Sequence, residues 1–149
     1  MPIAGVVADA NVLLSAIVGK AALRVFTEFA IQVHASQFNA DEVTEYLPEM
    51  AQEYKLPVEL VSLQGKLLPV RLHRQEDYKA YLPDALTELK NRDPEDAHVL
   101  ALAKSMGLSI WSNDRDLAKV TFECLTTAKL LRVLQDEAKV RIGETNGIR

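Results

Sequence analysis

Arg92-Asp93-Pro94-Glu95-Asp96-Ala97-His98-Val99-Leu100-Ala101-Leu102-Ala103, with its sequel Ile110-Trp111-Ser112-Asn113-Asp114-Arg115-Asp116, decides the fold. It reads as a helix start, a helix, a tight turn, a short strand and a second helix start. Asp93 suits the N-cap, Pro94 the first helical position, and Glu95 and Asp96 fill the first turn. Ala97, Leu100, Ala101 and Ala103 give a small-residue, close-packing helix, which Gly107 ends. Leu108 to Trp111 is short and apolar enough for a buried strand, and Ser112-Asn113-Asp114 leaves it to open a helix. In an α/β sheet, ligands bind where strands end in this way. Acids at helix starts are ordinary caps that stabilise the helix dipole. A third acid in the same kind of place changes their meaning. Pro2-Ile3-Ala4-Gly5-Val6-Val7-Ala8 is a strand that ends in Asp9, with Asn11 and an apolar helix after it.

Outward from these stretches the chain alternates. A strand at 3–8 is followed by a short helix at 11–18 and a second at 21–30. A second strand spans 31–35. Ser36 or Asn39 caps a helix reaching about Tyr54, with a kink expected at Pro48. Pro57 opens another helix. Val70 to His73 is a third strand, and 75–90 is a helical stretch with Tyr78, Tyr81, Leu82 and Leu86 facing inward. The opening helix and strand come next, then a fifth strand at 120–125. A last helix capped by Thr126 or Thr127 runs through Leu134. Alternation of this kind predicts an α/β fold in three layers: a parallel sheet of about five strands with helices on both faces. Right-handed crossovers gather all strand C-termini on one edge, where Asp9 and Ser112 to Asp114 fall. At 149 residues the chain reads as a single domain, residues 1–136, with 137–149 a frayed tail.

Val6-Val7-Ala8-Asp9-Ala10-Asn11-Val12-Leu13-Leu14-Ser15, Arg92-Asp93-Pro94-Glu95-Asp96 and Trp111-Ser112-Asn113-Asp114-Arg115-Asp116-Leu117 resemble, in order, the motifs of PIN-domain ribonucleases, including toxins of the VapC type. The resemblance runs from the first strand to Leu134. It implies a metal-dependent endoribonuclease that hydrolyses RNA phosphodiester bonds. It also implies a toxin held in check by a small antitoxin protein, and a homodimer. The alternatives are an RNA-processing nuclease outside any toxin–antitoxin pair and a PIN-like module that binds RNA or protein without cutting.

A Mg²⁺ or Mn²⁺ site takes hard oxygen ligands, chiefly carboxylates and water. Asp9, Asp96 and Asp114 supply three. The helix after the second strand offers Asp41, Glu42, Glu45 and Glu49, and periodicity does not choose among 42, 45 and 49, which share a face. The family pattern favours Glu42, followed by Val43, with Glu45 as the alternative. Clustered carboxylates repel one another, so a cation is the natural reason for the cluster. The expected catalytic and metal-binding set is therefore Asp9, Glu42, Asp96 and Asp114. Asn11, Asp93, Ser112, Asp116 and Glu45 are supporting candidates, with plain capping equally open for Asp93 and Asp116. Lys20, Arg24, Arg71, Arg74, Arg92 and Arg115 stand near loops that could meet phosphates, and Arg24, Arg71 and Arg74 are the candidate RNA contacts. Apolar faces on the helices at 21–30 and 42–54 are the candidate dimer interface.

Other chemistries fit less well. His34, His73, His98 and Cys124 lack zinc spacing, and no serine sits in a nucleophile elbow. Asp9-Ala10-Asn11 lacks the second acid of an aspartyl-phosphate phosphatase. Leu125-Thr126-Thr127 stands where a receiver domain needs a lysine, and no Gly-rich phosphate loop is present. One cysteine precludes an internal disulfide and fits the cytoplasm. The N-terminal apolar run is too short for a signal peptide or a membrane span. A net charge of -4 and a pI near 5.4 argue against holding nucleic acid by charge alone.

Overall fold

The computed structural model describes residues 2–90 and 93–147; Arg92 lies outside the described residues. Five parallel strands form one sheet: β1 (Gly5–Ala8), β2 (Gln32–Ser36), β3 (Val70–His73), β4 (Ser109–Trp111) and β5 (Cys124–Leu125). Their spatial order is β3-β2-β1-β4-β5. The chain winds outward from β1 in one direction and then returns to β1's other side. The gap between the C-terminal ends of β1 and β4 is thus the topological switch point, the usual ligand crevice of such sheets.

Each strand sends alternate side chains to opposite faces. Val6, Ala8, Val33, Ala35 and Trp111 join one apolar core with α1 (Ala10–Ile17), α2 (Leu23–Glu28), α3 (Gln37–Glu53), α4 (Val58–Leu67) and α8 (Thr127–Gly147). Val7 and Ile110 join a second core with α5 (Leu82–Glu88), α6 (Pro94–Met106) and α7 (Arg115–Ala118). The result is the three-layer α/β/α arrangement that the alternation implies. No described helix is long and apolar enough to cross a membrane.

The local signals at 93–107 act as expected. Asp93 Oδ1 accepts from the Glu95 N–H at 3.0 Å. Gly107 closes α6 at φ 66°, a left-handed position that favours glycine. α3 starts on a Ser36 cap and continues without a break through Pro48.

Several local expectations change. Residues 75–90 form two 3-10 turns, Gln75–Asp77 and Lys79–Tyr81, before α5. Pro83 stands in the first turn of α5, where a proline fits without loss of a helical hydrogen bond. Tyr81 turns outward, whereas Tyr78 is buried. The fifth strand shrinks to Cys124–Leu125, because Val120 and Phe122 pack against the second core from a turn rather than from a strand. α8 continues to Gly147, beyond the helix end expected near Leu134. The added stretch holds good helix formers such as Glu137, Ala138, Lys139 and Arg141. Glu137 Oε1 accepts from the Ile3 N–H at 2.8 Å and ties the helix to the start of the chain.

On the helices expected to offer a dimer face, Val25 of α2 and Val43, Leu47 and Ala51 of α3 are buried, while Phe38 and Tyr46 of α3 are exposed. Exposed aliphatic surface lies on α4 and β3, at Leu60, Leu63, Leu67 and Leu72.

Candidate metal centre at the switch point

Asp9 follows β1 and is 5% exposed. Its Oδ1 accepts from the Val12 N–H at 2.9 Å, which caps α1, and its Oδ2 accepts from the Ser112 hydroxyl. The backbone N–H of Asp9 donates to the Trp111 carbonyl at 3.3 Å. Ser112 Oγ also accepts from the Asp114 N–H at 3.0 Å. One serine therefore couples the loop after β4 to the carboxylate after β1. Asn11 makes no part of this clamp. It is exposed and lines a cleft with Glu42.

Asp114 caps the short α7, accepting from the Asp116 N–H at 2.8 Å. Asp116 itself is exposed and lies 4.0 Å from Lys119. Asp96, in the first turn of α6, shares a cleft of about 180 Å³ with Asp93 and Asp116. Glu42 lies half-buried on α3, where Asn39 Nδ2 donates to it at 3.2 Å, while Glu45 is exposed. The structure thus holds Asp9, Ser112 and Asp114 in one hydrogen-bonded unit. Asp96 and Glu42 line two separate clefts beside it.

Electrostatics links these places. Burial is the largest cause raising the Asp9 carboxyl above its ordinary value, and the charges of Asp114 and Glu42 add to it, against the Ser112 and Val12 hydrogen bonds. Asp96 is pushed up to about 7, first by burial and then by Asp93, Asp114, Asp9 and Asp116. Glu42 is raised first by burial, then by Asp93 and Glu45. Four of the five strongest causes acting on Asp96 are other acids, so carboxylates crowd the switch point with little to neutralise them.

Asp96 Oδ2 is buried without a hydrogen-bond partner. An orphaned buried acceptor costs roughly 1–3 kcal/mol, and more when charged. A divalent cation would remove that cost, and the donor set around it is all oxygen, which Mg²⁺ and Mn²⁺ prefer. Among the described residues, no three His, Cys, Asp or Glu side chains already close on one point. Mg²⁺ commonly takes one or two carboxylates and keeps several waters, so a closed protein cage is not required. On these grounds the residues fit such a metal: Asp9, Asp96 and Asp114 could hold it, with Glu42 within electrostatic reach.

The sequence reading missed Asn39 and Glu95. Asn39 is 1% exposed, hydrogen-bonded to Ser36, and its Nδ2 also reaches the Glu95 carbonyl at 3.4 Å. It ties the start of α3 to the start of α6. Glu95 is pushed up to about 7, chiefly by a side-chain hydrogen bond with Asp93, then by burial and Glu42. As a first-turn acid Glu95 looked like a dipole partner. Its neighbours across α3 have no signature in local sequence.

The proposed base contacts separate. Arg24 pairs with Glu28 at 2.5 Å on α2. Arg71 lies on β3, and Arg74 follows it at the C-terminal edge. His98 is packed, with its Nδ1 2.6 Å from Tyr78 Oη. Trp111 is core.

Comparison with known proteins agrees with this architecture. A toxin–antitoxin complex from Klebsiella pneumoniae contains a similar chain, with a TM-score of 0.62 and 19% identity, covering 82% of this chain and 97% of that one. VapC20 of Mycobacterium tuberculosis, described as a Sarcin-Ricin loop cleaving toxin, gives a TM-score of 0.55 and 16% identity over 78% of this chain and 95% of that one. No curated protein sequence matches the chain. The sequence matches the PIN domain family over residues 7–135, and with that span covering most of its length the chain belongs to the PIN-domain family.

Proposed function

We propose that this protein is a Mg²⁺- or Mn²⁺-dependent endoribonuclease and the toxin of a toxin–antitoxin pair, working in the cytoplasm. The observation that carries the reading is the unpartnered Asp96 Oδ2 amid the charges of Asp9, Asp114 and Asp116. Crowded, under-neutralised carboxylates at a switch point cost stability unless a cation is bound. When bound, such a cation lowers the pKa of a coordinated water and offsets charge developing on a phosphate. The chain's own part is positional. Ser112 and the Val12 N–H aim Asp9, the α7 cap sets Asp114, and Asn39 holds Glu42. Kinship with toxin folds, one of them described as cleaving the Sarcin-Ricin loop, supports the ribonuclease and antitoxin parts.

RNA cleavage with added Mn²⁺ tests the reading directly. Asp9→Asn is the informative control, because Asn caps a helix about as well as Asp. It should keep the fold and lose both Mn²⁺-dependent thermal stabilisation and cleavage. A variant that still cleaves would remove Asp9 from the site, and a wild type neither stabilised by Mn²⁺ nor active would leave a module that binds without cutting.

Arg71 lies on β3 at one end of the sheet, and Arg74, just after it, is on the same edge as Asp9. Two strand spacings, roughly 10 Å, separate β3 from β1. These bases are proposed to meet phosphates beside the metal site. Reversing both charges should weaken RNA binding and flatten its dependence on salt while leaving Mn²⁺ affinity unchanged. Unaltered RNA affinity would send the strand elsewhere, toward Arg24.

The exposed Leu60, Leu63, Leu67 and Leu72 are proposed as the face for a protein partner, the antitoxin or a second protomer. Sedimentation at low micromolar concentration decides between them. A homodimer that Leu63→Glu dissociates places the second protomer there, and a monomer leaves the face to the antitoxin.

A further inference from the structure

α3 buries one stripe at four-residue spacing: Asn39, Val43, Leu47 and Ala51. Directly beside it runs a second: Phe38, Glu42, Tyr46 and Met50. Side chains four apart stand one above another on a helix. In the second stripe the candidate acid Glu42 is half-buried, and an aromatic ring stands one turn to either side of it. Phe38 is 39% exposed and Tyr46 42%. The core does not need these rings, because the neighbouring stripe already supplies the packing.

Both rings have features of a prepared surface. Phe38 lies flat on His98, with centroids 3.9 Å apart and planes within 1°. His98 is in turn fixed by Tyr78 Oη at 2.6 Å. Phe38 is therefore the solvent end of a stacked ring pair whose inner ring is held by a hydrogen bond. Tyr46 lines a cleft of about 390 Å³ with Asn11, Glu42, Glu49, Met50 and Glu53. The carboxylates there repel phosphate, so an uncharged base is the part of an RNA strand that such a cleft can admit.

We infer that Phe38 and Tyr46 are base-stacking platforms that grip unpaired nucleotides on either side of Glu42. The inference rests on the ribonuclease reading and names the residues that hold the bases of the strand. The two residues are about 12 Å apart along the helix axis. Unpaired bases can splay and lay their faces on aromatic rings, whereas bases in a duplex keep their faces within their own stack. Stacking of this kind tolerates any base, so the platforms select unpaired RNA over paired RNA rather than one sequence over another.

The test measures binding apart from cleavage. A short, labelled single-stranded RNA is titrated with the full-length Asp96→Asn protein in Mg²⁺, followed by anisotropy. Tyr46→Ala and Phe38→Leu, each added to that background, should weaken binding by about five- to a hundredfold. Tyr46→Phe should bind like the parent. The loss should vanish when the RNA is made abasic or annealed into a duplex. Unfolding midpoints of the three variants should stay close to the parent's, since both rings are exposed. Equal affinity of parent, Tyr46→Ala and Phe38→Leu would overturn the inference, as would an equal loss with abasic or duplex RNA. Wild-type protein that cleaves no RNA, combined with an intact aromatic dependence of binding, would sink the ribonuclease reading and leave the platforms standing. Normal cleavage with no aromatic dependence would do the reverse.

Discussion

Replacing Asp96 with Asn is expected to abolish Mn²⁺-dependent RNA cleavage while leaving the metal-free fold at least as stable as the wild type. Loss of a metal-supporting partner one layer out typically costs about 10–100-fold, so loss of a direct ligand should cost more than about a hundredfold. The stability half follows from charge. Asp96 is 7% exposed, its Oδ2 has no partner, and its carboxyl is pushed up to about 7 from an ordinary 3.8. Between those two pH values the folded chain holds a proton that the unfolded chain has released. Stability of the metal-free protein therefore falls as pH rises through that window, and the full penalty is present above about 7. A gap of this size corresponds to a penalty on the order of 4 kcal/mol. Asn carries no charge at any pH and removes this part of the slope. Asp9, Glu42 and Glu95 are shifted in the same direction and keep the rest. Equilibrium unfolding in EDTA at pH 8 and at pH 5 measures the effect. The variant should gain on the wild type at pH 8, and the gain should shrink at pH 5. A variant several kcal/mol less stable than wild type at pH 8 would make Asp96 a structural residue.

Much of the fold is legible in the sequence, because short-range rules set it. Gly107 must end α6, Asp93 and Pro94 must start it, and parallel strands must bring Asp9 and Asp114 to one edge. What could not be read depends on contacts far apart in the chain. Glu42 and Glu45 share a helix face, so no periodic argument separates them. Asn39, which reaches Glu42 and the Glu95 carbonyl together, distinguishes them in space. The two clefts that hold Asp96 and Glu42 have the same origin, since α3 and α6 approach the sheet edge from different layers.

Other misses were local and could have been caught. Arg24 stands four residues before Glu28, the spacing of a helical ion pair, so its pairing was legible in the sequence. Pro83 already marked a helix start within 75–90, since its ring suits the first helical turn. The length of α8 was legible too, since residues 136–142 are mostly helix formers. Gly143 and Gly147 drew the reading toward a tail. An exposed glycine costs a helix only about 1 kcal/mol, which the anchor between Glu137 and Ile3 can offset.

The largest loss of stability is expected from Trp111→Ala, and it should reach the site through the same residue. Trp111 is 0% exposed and packs against Phe26 with ring centroids 5.8 Å apart. Its Nε1 donates to Thr127 Oγ1 at 2.9 Å, and Thr127 in turn exchanges hydrogen bonds with the Asn113 side chain at 2.8 and 3.2 Å. The indole thus braces the loop that carries Asp114 against the start of α8. Removing a buried aromatic ring costs about 3–5 kcal/mol, which for a chain of this size lowers the melting temperature by about 6–20 °C. Trp111→Phe separates packing from the hydrogen bond. It keeps most of the volume, and Thr127 Oγ1 retains the Asn113 donor, so its cost should be well under half that of Ala. Because the Asp9 N–H bonds to the Trp111 carbonyl, any shift of β4 caused by the cavity also moves Asp9 relative to Ser112. Cleavage by Trp111→Ala should therefore fall by more than its loss of folded protein, measured at a temperature where both proteins are fully folded. Equal activity per folded molecule would mean that the strand end holds its place without the indole. Such a result would assign the positioning of Asp9 to the Ser112 hydroxyl and the α1 cap alone.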